Sequence, residues 1–174
     1  MALKKPKNIP KIPKAREKTI DKLKDTTPMK KESEIEFNCR IYFHRDNVKA
    51  TQKYRFTIET IKMFSFLNYE VTVKANKSKK NIDISILGLT AKNDYMSKVQ
   101  PAYANVDFEE LYGEYTLNII KQDGSINSAV VDFNIYKKEI KLVKTFLPEK
   151  ENNRLFCTFG LDDSMHSYSN EFMK

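Results

Sequence analysis

From Glu34 onward, apolar and polar residues alternate. Ile35, Phe37, Cys39, Ile41 and Phe43 fall on one side of an extended chain and Glu34, Glu36, Asn38 and Arg40 on the other, a period of two that predicts a strand. A polar turn, Arg45 to Gln52, leads to a second strand begun by Tyr54, Phe56 and Ile58, whose end is open because Ile61, Met63 and Phe64 also suit a helical turn. Leu67, Tyr69, Val71 and Val73, then Ile82, Ile84 and Ile86, predict a hairpin around a charged turn at Asn76 to Lys80. Pro101, three tyrosines and Asp107, Glu109 and Glu110 make residues 90–112 read as a long crossing loop with a short strand at Asn105 to Phe108. Past Tyr136, Lys137 and Lys138 open a strand continued by Ile140, Leu142 and Phe146. Pro148 to Asn153 is a turn before Leu155, Cys157 and Phe159, and Leu161 to Lys174 has no period.

The clearest signal is the stretch from Leu111 to Tyr136. Tyr115, Leu117 and Ile119 alternate with Thr116 and Asn118, Asp123-Gly124 breaks the run, and Ala129, Val131, Phe133 and Ile135 alternate with Asp132 and Asn134. A two-residue loop would set Tyr115 against Asp132 and mix the faces. A three-residue loop, Gln122 to Gly124, sets Tyr115 against Val131 and Leu117 against Ala129, and puts glycine where the loop needs a left-handed residue. The second register is the expected one, with Gly124→Val more harmful than Gly88→Ala.

Charge changes the picture at one end only. The net charge of the 174 residues is +8, and residues 1–31 already carry eleven Lys or Arg against Glu17, Asp21 and Asp25, so the remainder balances at 20 basic and 20 acidic residues. Residues 1–33 also hold Pro6, Pro10, Pro13 and Pro28 among lysines and scattered Ile and Leu, a composition that predicts an extended arm, disordered in isolation. The expected organisation is an arm over 1–33, a β domain over 34–160 and a tail over 161–174. Of the five arginines only Arg16 lies in the arm, against twenty-six lysines in the chain, which disfavours bidentate, sequence-specific nucleic-acid reading.

Seven to nine short strands predict an all-β sandwich or barrel, not a parallel α/β fold. Leu111, Gly113 and Tyr115, the alternating strand, the Asp-Gly turn and the return through Phe133 and Ile135 resemble the last hairpin of immunoglobulin-like sandwiches, over roughly residues 105–136. The resemblance implies an immunoglobulin-like antiparallel β-sandwich and no activity, since the fold hosts many functions. The chain departs from antibody-type domains in lacking tryptophan and a cysteine pair at the expected places.

Candidate chemistry is sparse. His44 and His166 lie far apart; Asp162, Asp163 and His166 form the one metal-like cluster, read as a solvated terminal segment; and no glycine-rich phosphate loop is present. Neither a cofactor nor a catalytic set is expected. Tyr95, Tyr103, Phe108, Tyr112 and Tyr115 sit among Asp107, Glu109, Glu110 and Glu114, which argues for core or protein interface over nucleic-acid stacking. Cys39 and Cys157 read as buried thiols, and the N-terminus lacks a secretory apolar core. The expected partner-binding residues are in the arm: Lys4, Lys5, Lys7, Ile9, Lys11, Ile12, Lys14 and Arg16. They imply a structural component of a large assembly, with a phage or viral virion protein (capsid decoration, cement or connector) the first reading, in virion or host cytoplasm and away from membranes. A nucleic-acid- or ribosome-associated binder using the same lysines is the alternative.

Overall fold

The computed structural model describes residues 34–46, 51–95, 98–149 and 153–162. The arm, with every partner-binding residue assigned to it, lies outside them, as do the tip of the Arg45 to Gln52 turn and the tail from Asp163. Nine strands follow in chain order: β1 Phe37–Asp46, β2 Thr51–Phe64, β3 Leu67–Ser78, β4 Asn81–Tyr95, β5 Gln100–Phe108, β6 Gly113–Lys121, β7 Ile126–Asn134, β8 Glu139–Phe146 and β9 Cys157–Leu161. They form one sheet in the order β8-β7-β6-β4-β3-β5-β2-β1-β9.

The expected all-β class holds, with the nine strands in one sheet that curls until its ends nearly meet, nearly closed and barrel-like. Three of its joins are parallel: β1 with β9, β4 with β6, and β3 with β5. The β3–β5 join is a single bridge, Glu70 opposite Tyr103.

The core follows the alternation. Phe37, Cys39, Ile41 and Phe43 of β1, Ile82, Ile84 and Ile86 of β4, Leu117 and Ile119 of β6, and Val131 and Phe133 of β7 point inward and are buried. A relay of rings crosses this interior: Phe43 to Tyr54 at 5.0 Å, Tyr54 to Phe133 at 4.9 Å, Phe133 to Tyr115 at 5.8 Å, and Phe56 to Phe108 at 5.4 Å. Each fully buried large side chain contributes roughly 1.5–3 kcal/mol, so a core of this size holds the sheet without a metal or disulfide.

The central hairpin adopts the expected register, Tyr115 opposite Val131 and Leu117 opposite Ala129. Lys121 N–H donates to Ser125 O at 2.9 Å, enclosing Gln122 to Gly124, and Gly124 has φ +84°. Four expectations are corrected. The segment 90–112 is mostly strand, since β4 runs to Tyr95 and β5 occupies Gln100–Phe108. The end of β2 is a bulge and not a helical turn: the Thr60 hydroxyl accepts from Ala102 N–H at 3.0 Å and donates to Lys62 O at 2.8 Å, which keeps the chain extended. Lys137 and Lys138 form a turn, with Lys138 at φ +52°, because the Asn134 side-chain oxygen accepts from Lys137 N–H at 3.0 Å. The charged turn at Asn76 to Lys80 is also tighter than expected, β3 continuing to Ser78 opposite Asn81.

Candidate interaction surfaces

No ladder joins β8 to β9, and the seam is closed by side chains. Asn127, buried at the start of β7, accepts from Phe156 N–H at 2.9 Å and Cys157 N–H at 2.8 Å and donates to Arg154 O at 3.0 Å. One carboxamide thus imitates a strand for residues 154–157, while Phe156 O accepts from Glu36 and Phe37 N–H on the far side. Around Phe156, Lys121 Nζ lies 3.0 Å from both Glu36 carboxylate oxygens, and Arg154 also bonds Glu36. Lys121 and Arg154 stand 3.5 and 3.6 Å from Asp123 and over the Phe156 ring at 5.6 and 5.8 Å. Burial alone would raise the Asp123 carboxyl, but bonds from the Ser125 N–H and hydroxyl and the charges of Lys121 and Arg154 outweigh it and hold it at about 2.

The outer face of β9, β1, β2 and β5 is polar and internally paired. Thr158 donates to Asn38, Asn38 to Glu59, and Arg40 bridges Glu59 at 2.9 Å and Asp162 at 3.0 Å. Arg55 grips Asp107 through two bonds, 2.6 and 2.7 Å, which holds that carboxyl below the usual range, and Lys53 faces Glu109 at 3.4 Å. Charges satisfied within the face have little left for a ligand.

The ends of the barrel differ. β1 begins at the lower end, where β2, β4, β6 and β8 finish. Most exposed large apolar side chains gather there: Ile61, Met63 and Phe66 at the β2–β3 bend, Leu87 and Leu89 on β4, and Ile126, Phe146 and Leu147 where β7 starts and β8 stops. Phe66 is 84% exposed. β4 pairs with β6 only through Ile86 and continues to Tyr95 paired with β3 alone, so this part of the sheet runs past the end of β6. Ile126, Phe146, Leu147, Pro148 and Asn153 line an open cleft of about 580 Å³. At the upper end Tyr112, Ile135 and Tyr136 are exposed.

Of the residues singled out from sequence, Asp162 is held by Arg40, and Asp163 and His166 lie outside the described residues; among those described, no group of three His, Cys, Asp or Glu is placed to hold a metal. The aromatic set is dispersed: Tyr115 is buried, Phe108 packs on Phe56, Tyr103 is exposed on the outer face, and Tyr112 is exposed at the upper end. Cys39 and Cys157 are free buried thiols on neighbouring strands. Burial and the neighbouring Cys157 push Cys39 well up, and burial pushes Cys157 up to about 12. The lower apolar rim escaped sequence reading, because most of its residues stand on the phase opposite to the core of their strands: Ile61 and Met63 against Phe56 and Ile58, Leu87 and Leu89 against Ile82, Ile84 and Ile86, and Ile126 against Ala129 and Val131. Compared with protein-family models, with curated proteins and with solved structures, the chain finds no match.

Proposed function

We propose that the chain is a non-enzymatic structural component of a large macromolecular assembly, a phage or viral virion protein of the decoration, cement or connector kind, anchored by its 1–33 arm. The observation that carries this reading is the contrast between a self-paired polar flank and an apolar lower rim. Isolated apolar side chains are ordinary on a surface, but several gathered on one end mark a place where another protein excludes water. The lysine- and proline-rich composition of residues 1–33 suits a segment that lies extended along another protein. An immunoglobulin-like layering belongs to the same reading: the single-bridge β3–β5 join divides the strands into a group of five and a group of four, as two layers would require.

Gradient sedimentation of extracts from cells that make the protein tests it. The parent chain should run with large particles, and the Phe66→Asp, Leu147→Asp double variant, whose side chains are exposed, should shift to the light fractions with its unfolding midpoint unchanged. A parent chain confined to the light fractions, or a variant that co-sediments like the parent, would remove the reading.

A further inference from the structure

The upper end brings together what the sequence keeps apart. Lys80 Nζ, from the β3–β4 turn, donates to Tyr112 O at 2.6 Å and stands 4.5 Å from the Tyr115 ring centroid, with Lys77 Nζ at 5.9 Å from the same ring. Tyr112, from the β5–β6 loop, meets Tyr136, from the β7–β8 turn, edge to face at 6.0 Å and 83°. Three connections therefore form one surface, on which Tyr112 is 58% and Tyr136 84% exposed. Lys77, Lys79 and Lys80 lie at the β3–β4 turn and Lys137 and Lys138 at the β7–β8 turn, and all five are exposed. Of the nearby acids Glu109 is engaged by Lys53 and Glu139 by Lys141, and Glu110, Glu114 and Asp132 stand against the lysines of the two turns.

We propose that this end binds single-stranded nucleic acid without sequence preference, with unpaired bases stacking on Tyr136 and Tyr112 and the surrounding lysines facing phosphates. Exposed aromatic faces accept any unpaired base, and lysine supplies charge without the bidentate geometry that reads base edges. A duplex hides the base faces that these rings need. The site is separate from the lower rim, so the inference stands or falls independently of the assembly reading, and it differs from an electrostatic contact made by residues 1–33, which contain no Phe, Tyr or Trp.

Fluorescence anisotropy of the full-length protein with a labelled oligothymidylate, beside polyphosphate and polyglutamate of matched charge, separates these cases. Tyr112→Ala with Tyr136→Ala should weaken the oligonucleotide by about tenfold or more and leave polyphosphate unchanged, while Tyr136→Phe keeps the parent affinity. Lys79→Gln with Lys137→Gln should reduce the slope of log affinity against log salt by about 1.4. The proposal is overturned if the oligonucleotide does not bind, if the tyrosine variants bind it as the parent does, if they lose polyphosphate equally, or if polyglutamate binds as tightly, which would mark an acidic protein partner.

Discussion

Asn127 carries more of the architecture than any other polar residue described. Truncation to alanine leaves two buried N–H groups and one carbonyl of residues 154–157 without partners, so Asn127→Ala should cost roughly 3 kcal/mol in urea unfolding, against a few tenths for an exposed Asn such as Asn76. Gly124 behaves differently, since no atom lies within 4 Å of a Cβ built there and the whole cost of a side chain is conformational. Gly124→Val should lose about 1–2 kcal/mol. The expected ranking against Gly88 is revised by its φ of +143°, a region almost closed to residues with a Cβ. Gly88→Ala should cost about as much, and equal denaturation midpoints for it and the parent would contradict this. Asp123 has its carboxyl lowered from 3.8 to about 2, so the stability it adds is present above pH 3.8 and is lost as pH falls toward 2. It is half-exposed, so the effect is small, but Asp123→Asn should flatten the fall in unfolding midpoint between pH 4 and 2.

Among the elements, the β6–β7 hairpin was legible to its register because Tyr115, Leu117, Val131 and Phe133 must share one face and Gly124 must supply a left-handed residue. β5 was legible only at its end. Its Pro101 and Tyr103 disguise a strand, yet Pro101 is tolerated at the second position, where the register with β2 is still irregular. The Lys137-Lys138 turn was hidden for the opposite reason: lysine suits the left-handed backbone poorly, and the turn is imposed by Asn134 and the strands it joins. Parallel neighbours such as β4 and β6 leave no local mark in sequence, because their partners are far apart along the chain. The single-bridge β3–β5 join has a testable consequence. Beyond Glu70, alternate amides of β3 that point toward β5 have no ladder partner, so residue-resolved hydrogen exchange should show every second amide from Val71 to Lys77 exchanging fast, and uniform protection along β3 would contradict the assigned pairing.

At the scale of the molecule, the sequence showed where charge is concentrated but not that the two ends of the barrel differ. The lower rim is made largely from apolar residues out of phase with the core of their own strands, such as Met63, Leu89 and Ile126, and the upper aromatic surface joins Tyr112 to Tyr136 and to the β3–β4 turn across a fold that pairing alone defines. The core of the described residues is built from side chains between Phe37 and Cys157, and the proposed function divides the labour accordingly, giving stability to the barrel and attachment to residues 1–31. Gradient sedimentation of a chain lacking residues 1–31 tests that division most directly, with far-ultraviolet circular dichroism confirming a β-sheet fold in the same fractions. The account predicts a folded protein that has left the large particles for the light fractions; a truncated chain that fails to fold, or that sediments with the particles as the full chain does, would contradict it.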